Sequence, residues 1–550
     1  MKPCKVLLPL LAVCGIAFLG SAAPALAEAN ITIVNVDGPG EGFNDPTPAA
    51  PVGGNPGTTL GQQRLNVFQY AADVWGSLLD SNVEIVVVAS FDPLGPNVLG
   101  QAGAVSVARD FPGAVFPDTW YQVALANKLV GVDLGPGAPD IAAQFSSDFP
   151  FYLGLDNNHG ALNDLATVVL HELCHGLGFA NFVTDATGQN FRGHTDAYSH
   201  FTLDETTGLH WSDMTQNQRK NSAVNVRHVS WDGSIVTAQV PRVLQIGEPR
   251  VSISTPPSIA GSYFVGPASF GPVFSSPGVT GSVRLVNDGV GVTTDACEAL
   301  PAGSLTGAVG LADRGTCTFV VKVKNMQNAG AVAALIADNV AGSPPVGLGG
   351  SDPTITITSG RITLADGNTI KSQLSGNVVA NLGLDLSRRA GASSSGFASL
   401  WAADPVQPGS SISHWDVIAT PNLLMEPSIN ADLTHSVRPP QDLSLMQLGD
   451  VGWFADADRD GVPDTDDQCP GSNLTPTVVI DGCDSGVPNT ILPSGCTISD
   501  LIAGCAESAA SHDDFVSCVS HLTNDLKSQG VITGNQKSAI MNCANSASIP

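Results

Sequence analysis

A pair of histidines four residues apart is the strongest chemical signal in this sequence. The stretch LHELCHGLGF, residues 170–179, contains His171 and His175, with Glu172 beside the first. Residues four apart share one face of an α-helix, so both imidazoles can reach a single metal ion. A hydrolytic zinc site takes three protein ligands and keeps a fourth position open. The motif therefore predicts two zinc ligands, with Glu172 as the general base that takes a proton from a water activated by the metal.

The third ligand is not supplied where the motif would usually place it. In the pattern H-E-x-x-H-x-x-G-x-x-H the chain turns at the glycine and returns with a third histidine. Gly178 occupies the glycine position here, but Asn181 stands at the third ligand position, and its amide is a poor zinc ligand. Several side chains elsewhere could replace it. They are Asp185, His194, Asp196, His200, His414 and His435.

A distant segment resembles the missing half of such a site. In SHWDVIATPNLLMEPSINADLTHS, residues 413–436, His414 is followed 11 residues later by Met425 in a Leu-Met-x-Pro turn. This segment, with HELCHGLGF and the later LSLMQLGDVGWF, resembles the leishmanolysin family of metzincin zinc endopeptidases, in which an insertion separates the helix motif from the third ligand. The resemblance implies that His414 is the third zinc ligand and that Met425 forms an apolar floor beneath the metal. Asp196 remains the alternative third ligand.

The elements around the motif predict an α+β catalytic domain. NDLATVVLHELCH has helical periodicity, with Asn163 or Asp164 as its cap and with Gly176 and Gly178 at its end. An earlier helix over 61–80 and strands in NVEIVVVASF and PDIAAQF precede it. We expect a mixed sheet plus the active-site helix, metzincin-like by the resemblance above. The first part of this domain is predicted over 28–232 and the second part over 385–454.

Between the two parts lies a block, 233–384, with a different composition. It is rich in Pro, Gly, Ser and Val, and it contains LADRGTCTFVVKVKNMQNAGA. That stretch closely resembles the protease-associated (PA) domain, a small β/α module found inside or beside secreted peptidases. PA domains are not themselves catalytic, so the resemblance implies a role in substrate docking or access to the site.

The chain changes character again near residue 455. DADRDGVPDTDDQCP, residues 456–470, alternates carboxylates around the turn glycine Gly461, which is the oxygen-rich arrangement that Ca²⁺ requires. It resembles one thrombospondin type 3 repeat, predicted over 455–484, and an acidic linker is the alternative. The predicted calcium ligands are Asp456, Asp458, Asp460, Asp464 and Asp467. Residues 485–550 predict a small helical module stapled by disulfides.

The 11 cysteines predict a protein that folds outside the reducing cytosol. Two of them lie in a leader-like segment, 1–27, which has the basic start and apolar run of a secretory signal peptide. Cys174 in the metal helix is the odd residue of the remaining nine, and we expect a buried core side chain rather than a zinc ligand. The others fall in local clusters that could form four bridges. These clusters are Cys297 with Cys317, Cys469 with Cys483, and Cys496, Cys505, Cys518 and Cys543.

The charge balance restricts the partners. With 50 acidic and 23 basic residues the formal net charge is −27, which argues against nucleic acid or an anionic membrane as a partner. No segment after the leader has 18 or more unbroken apolar residues, so we expect no membrane span in the mature chain. Protein or peptide substrates are expected instead.

These features predict a secreted zinc endopeptidase with one catalytic Zn²⁺ and a structural Ca²⁺. A second hypothesis is a catalytically silent secreted scaffold that binds partners through the PA-like and C-terminal modules, since Asn181 and Cys174 depart from a working site. A third hypothesis is an aminopeptidase. PA-bearing aminopeptidases generally use two metals, however, and the sequence contains no second cluster of spaced Asp, Glu and His ligands.

Overall fold

A four-stranded sheet carries the helix of the opening motif. The computed structural model describes residues 28–464 and 467–549, so the predicted signal peptide, 1–27, lies outside the described residues. The sheet runs β1, β2, β4, β3, with β1, β2 and β4 parallel and β3 antiparallel to β4. Its strands are β1 Ile31–Asn35, β2 Ile85–Asp92, β3 Gly100–Ala104 and β4 Ile141–Ser146. The apolar strand IVVVASFD of β2 is largely buried, as expected for a parallel strand inside a sheet.

Two helices pack together over this sheet. They are α1 Leu60–Gly76 and α2 Leu165–Leu177, and the Trp75 indole N–H of α1 donates to the Leu170 carbonyl of α2 at 3.1 Å. The side chain of Asp164 caps α2, and Gly178 follows its last turn, as predicted. Gly176 differs from the prediction, because it lies inside the helix against β4. A Cβ there would come within 2.6 Å of the Ile141 side chain.

The inserted block begins later than predicted. Helix α3 Ser234–Val243, assigned from sequence to the block 233–384, buries Ile235, Val236 and Val240 in the core of the first domain. The Pro- and Gly-rich composition of the flanking sequence concealed its apolar stripe. The insertion itself starts at Ile246, and its last strand continues past residue 384 to Arg389.

The insertion is built on an eight-stranded sheet with apolar clusters on both of its faces. Its order is β6, β5, β12, β8, β9, β10, β11, β7, and the strands β8 to β11 are parallel. The strands are β5 Ile246–Thr255, β6 Gly261–Phe264, β7 Gly266–Pro267, β8 Val279–Leu285, β9 Val309–Asp313, β10 Ala333–Ala337, β11 Thr358–Ile362 and β12 Val379–Arg389. The helices are α4 Phe319–Asn328 and α5 Leu364–Ser372.

After the insertion the chain returns to the first domain. Helix α6 Ser444–Val451 packs against α3. A loop of the insertion also contacts this returning segment, because the backbones of Ser343 and Asp404 exchange two hydrogen bonds of 2.8 Å. Short helices Val123–Val130 and Gln216–Ser222 complete the domain, with the short strands Val107–Ala108, Thr119–Gln122, Phe151–Tyr152, Asn163–Asp164, Thr195–Asp196, Thr202–Asp204, Leu209–His210, Val229–Trp231 and Ala398–Ser399.

The C-terminal module is a hairpin covered by helices. The hairpin β13 Thr477–Ile480 and β14 Cys483–Pro488 shares one apolar core with α7 Ile498–Ser508, α8 His512–Ser528 and α9 Gly534–Ser546. The hairpin begins within the segment predicted as a calcium repeat, 455–484, and its second strand ends at Pro488. It belongs to the module, whose predicted start at residue 485 is therefore late.

Residues 28–464 and 467–549 contain four disulfides, which are typical of a protein that folds in an oxidising compartment. The pair Cys297–Cys317 is as predicted. The grouping of Cys469 with Cys483 is wrong, because Cys469 bonds Cys496 and Cys483 bonds Cys543, 60 residues away. Proximity in sequence misled here, since β14 carries Cys483 against α9. The fourth bridge joins Cys505 and Cys518.

The helices of the described residues include none that is long and apolar enough to cross a membrane.

Candidate metal centre

Three imidazoles from two distant segments converge on one point. The Nε2 atom of His171 lies 3.2 Å from Nε2 of His175 and 3.3 Å from Nε2 of His414. All three nitrogens lie within 4.8 Å of one another. Two nitrogens bound tetrahedrally to one zinc at 2.0–2.1 Å are separated by about 3.3 Å. The spacing of the ring nitrogens is therefore that of ligands around a single zinc ion.

The opposite ring nitrogens determine the tautomers. Nδ1 of His171 contacts the carbonyl of Leu424 at 2.7 Å, and Nδ1 of His175 contacts that of Phe179 at 2.7 Å. Nδ1 of His414 contacts the carbonyl of Ser410 at 2.8 Å. A carbonyl only accepts, so each Nδ1 carries the proton and each Nε2 presents a lone pair. Lone pairs facing one another at 3.2–3.3 Å cannot hydrogen-bond, whereas a shared cation satisfies all three.

Burial keeps these rings neutral. It lowers the pKa of His171 to about 3 and the pKa of His175 to about 4. The pKa of His414 is also well below its usual value, first because of burial and then because of the two neighbouring imidazoles. A neutral imidazole is the form that binds a metal. The donor set therefore suits zinc at neutral pH.

Glu172 lies beside this cluster, under the edge strand of the sheet. Its side chain is 8% exposed, and burial raises its pKa to about 8, although the Ala102 backbone N–H donates to the carboxylate. A Cβ at Gly100 would come within 3.1 Å of Glu172 Cγ. A larger residue at this position would press on Glu172 and on the Phe145 ring, so glycine favours the close approach of β3 to the Glu172 side chain. A carboxyl group in such surroundings can hold a proton or release it near neutral pH.

The turn at Met425 supports the histidines from below. Met425 is fully buried, and its carbonyl accepts from the backbone N–H of Trp415, the residue after His414. The adjacent Leu424 carbonyl is the acceptor for His171. The Leu424 N–H in turn donates to the buried carboxylate of Asp442 at 2.6 Å. Asp442 was not identified from the sequence, although its place just before an apolar helical stretch is a signal for a capping carboxylate.

The other candidate ligands lie apart from the cluster. Asp196 is buried, and its carboxylate accepts backbone N–H groups of Phe182 and Ser199 at 2.8 Å. The rings of the remaining histidines face other partners: His194 contacts Asp118, His200 contacts Thr119, and His435 contacts Asp164. Asp185 accepts from the Asn181 amide at 3.3 Å.

Cys174 lies on α2 between the histidines of the motif and is a free, fully buried thiol. Burial raises its pKa well above the usual value. A thiol held protonated in this way is a core side chain, as predicted, and not a metal ligand.

A second potential metal group lies at the start of the C-terminal segment. Carboxylates of Asp456, Asp458 and Asp460 lie within 4.8 Å of one another around Gly461, whose φ is +91°. Burial raises the pKa of Asp456 to about 6 and the pKa of Asp460 to about 7, and the neighbouring carboxylates add to both shifts. Such mutual repulsion is relieved by a bound cation. Asp464 and Asp467 stay outside this group and accept backbone N–H groups of Ala457 and Cys469.

The inserted module is similar to a known family. Residues 279–370 match the family model of the PA domain, so the predicted PA domain is confirmed for that range. Probable leucine aminopeptidase 2 of Aspergillus fumigatus is 38% identical over 91 residues, which are 16% of this chain and 18% of that protein. Vacuolar-sorting receptor 3 of Arabidopsis thaliana is 39% identical over 84 residues, 14% of this chain and 13% of the receptor. The chain thus spans less than a fifth of these relatives.

Among solved structures, a zinc aminopeptidase from Bacillus subtilis aligns over 34% of this chain and 42% of its own, with 20% identity and a TM-score of 0.20. An aminopeptidase from Aneurinibacillus aligns over 26% of this chain and 31% of its own, with 25% identity and the same TM-score. Similarity at that level does not indicate a shared overall fold. The likeness of the catalytic segments to the leishmanolysin family stays a prediction.

Proposed function

We propose that this chain is a secreted zinc-dependent endopeptidase. The observation that carries the proposal is the convergence of three Nε2 lone pairs, from His171, His175 and His414, at the spacing of a tetrahedral zinc site. Bound there, zinc supplies a Lewis acid that lowers the pKa of water and polarises a peptide carbonyl. Glu172, held beside the cluster with a pKa near 8, takes the proton of the attacking water and delivers it to the leaving amine.

The sheet edge supports cleavage inside a chain. β3 ends the four-stranded sheet and has one strand neighbour, β4, among the described residues. At its other edge the Ala102 N–H donates to the Glu172 carboxylate, and no strand pairs with that edge among the described residues, so an extended peptide can add there. A substrate that adds to this edge continues past the metal cluster in both directions. That arrangement favours an internal peptide bond over a chain end.

The metal groups also favour a single catalytic metal. Within residues 28–464 and 467–549, the potential metal-holding groups share no residue with one another, and the histidine cluster contains no additional acidic or histidine ligand. A two-metal aminopeptidase centre requires a second set of ligands a few ångströms from the first. We propose that the Asp456, Asp458 and Asp460 group separately holds Ca²⁺ in a structural role.

The test combines zinc content with two matched substrates. Purified protein should hold about one zinc per chain and should cleave a quenched peptide that is blocked at both ends. Glu172→Gln should keep the zinc while cleavage falls by about 10²–10⁴-fold, the range for loss of a general base. Glu507→Gln, an exposed carboxylate on α7, is the control and should cleave normally.

The outcomes separate the competing functions. Hydrolysis restricted to peptides with a free amino terminus would replace the endopeptidase with an aminopeptidase. If the protein neither binds zinc nor hydrolyses peptides, the hypothesis of a catalytically silent binding scaffold would replace the endopeptidase. Full activity in Glu172→Gln would remove the proposed mechanism.

A further inference from the structure

A large cavity lies between the first domain and the C-terminal module, away from the histidine cluster. Its volume is about 790 Å³, within the range of cavities that bind organic ligands. One wall comes from α3 and the segment 436–441, and the opposite wall comes from residues 474–476 and 488–493. None of the candidate zinc or catalytic residues lines it. We call it the arginine cavity.

Positive charge is concentrated in this cavity. Arg242, Arg389 and Arg438 line it, whereas Asp460 is the only carboxylate among its described lining residues. The whole chain has 23 basic residues against 50 acidic ones. Three guanidinium groups around one cavity therefore give it a local charge opposite in sign to the net charge of the protein. A cation bound by Asp460 would leave the positive charge there still less compensated.

Two of these arginines lack the carboxylate contacts that arginines have elsewhere in the molecule, whereas Arg389 donates to the Leu244 carbonyl at 2.6 Å. Arg227 and Arg250 both contact Glu248, at 2.6 and 2.7 Å. By contrast, in the part of the chain that the structure describes, neither Arg242 nor Arg438 has a carboxylate oxygen within 4.0 Å. Arg242 is half-buried, and burial lowers its pKa, although the charge of Asp460, beyond contact distance, partly offsets that shift. A half-buried guanidinium that contacts no carboxylate of the protein can donate hydrogen bonds to a carboxylate of a ligand.

Apolar side chains form much of the remaining lining, beside the uncharged polar side chains of Gln239, Ser436, Gln441, Thr475, Asn489 and Thr490. Prolines contribute from both walls, and Leu474, Ile491 and Leu492 add apolar side chains. The lining prolines are Pro241, Pro439, Pro440, Pro476, Pro488 and Pro493. Proline has a fixed φ, so such walls lose little conformational freedom when a ligand binds. Apolar walls beside guanidinium groups suit a ligand that carries both carboxylates and apolar side chains.

We propose that the arginine cavity binds an acidic peptide segment, with its carboxylates on Arg242 and Arg438 and its apolar side chains against the proline walls. Guanidinium groups pair with carboxylates through two parallel hydrogen bonds, which a peptide can engage at successive acidic side chains. An inorganic anion would use the charge but not the apolar surface. The proposal does not depend on the proposed peptidase activity, because no residue is shared between the two sites.

The experiment measures binding of acetyl-Leu-Glu-Leu-Glu to the full chain by calorimetry, in the Glu172→Gln background so that the peptide is not cut. Acetyl-Leu-Gln-Leu-Gln-amide is the neutral match, and sodium phosphate is the inorganic anion. We expect saturable binding of the acidic peptide with a Kd below about 1 mM, and binding of both controls at least about tenfold weaker.

Variants locate the site. Arg438→Gln, at an exposed side chain, should weaken binding of the acidic peptide about tenfold and should leave the melting temperature unchanged. Arg242→Gln should also weaken binding of the acidic peptide about tenfold. Circular dichroism is used to verify that this variant keeps the native fold. Arg284→Gln is the control, because Arg284 is exposed on the insertion and donates to the Ser304 carbonyl. His414→Ala should leave peptide binding intact.

Three results would overturn the assignment. The first is no saturable binding of the acidic peptide at millimolar concentration. The second is phosphate binding as tight as peptide binding. The third is unchanged peptide binding in Arg438→Gln.

Discussion

Replacement of His414 by alanine tests whether the two halves of the site, separated by the PA insertion, hold one metal. The ring is 5% exposed, and its Nε2 lies 3.3 Å from Nε2 of His171. Structural zinc sites with four protein ligands bind with about 10–16 kcal/mol, or about 3–4 kcal/mol per ligand. At about 1.4 kcal/mol per tenfold change, His414→Ala should weaken zinc binding by about 10²–10³-fold.

The assay is competition for zinc against a chromogenic chelator, with metal content measured by mass spectrometry. His200→Ala is the matched control, because that ring stacks on Phe116 at 3.9 Å and is not part of the cluster. Asp196→Asn tests the alternative ligand and should leave zinc affinity unchanged. Zinc affinity that is equal in His414→Ala and the parent protein, or that is lost in Asp196→Asn, would refute the three-histidine site.

Three further outcomes follow from other parts of the molecule. Calcium should raise the melting temperature of the parent protein, and Asp458→Asn should reduce that rise; an equal rise in both would contradict the calcium site. The folded-state pKa of Asp450 is about 6 against an ordinary 3.8, so its ionisation lowers the free energy of unfolding by about 2 kcal/mol as pH rises from 4 to 6. Denaturant titrations should show that the free energy of unfolding declines less between pH 4 and 6 in Asp450→Asn than in the parent protein. An equal decline in both proteins would show that Asp450 does not contribute to it. Replacement of both Cys483 and Cys543 by serine removes the disulfide that closes a loop of 60 residues, and should destabilise the C-terminal module by about 4 kcal/mol. The zinc content should stay at the parent level, which would show that the damage is confined to this module.

The sequence-based prediction was most accurate where the signal is local. The helix Leu165–Leu177 and its capping residues Asp164 and Gly178 follow from a period of 3.6 and from the chemistry of helix ends. The burial of Cys174 and the disulfide Cys297–Cys317 were also predicted correctly. In each case the residues that decide the outcome lie within about one element of one another along the chain.

Predictions failed where two distant segments share a surface. Helix α3 packs in the first domain rather than in the insertion, because its apolar face meets α6 some 200 residues later. Cys483 pairs with Cys543 because β14 is covered by α9. Neither contact leaves a mark on the local pattern of residues. Asp442 carries the local signal of a helix cap, but its hydrogen bond to the Leu424 backbone cannot be inferred from that signal.

The sequence by itself determined which residue types can do chemistry: two imidazoles and a carboxylate on one helical face, an acidic loop, and a PA segment. Only the tertiary structure decided which of six candidate side chains lies beside the helical pair, and that three arginines from separate segments line one cavity. The entropy of closing a loop grows only logarithmically with its length. Distance along the chain therefore does not rank possible partners, and packing of the whole molecule selects among them.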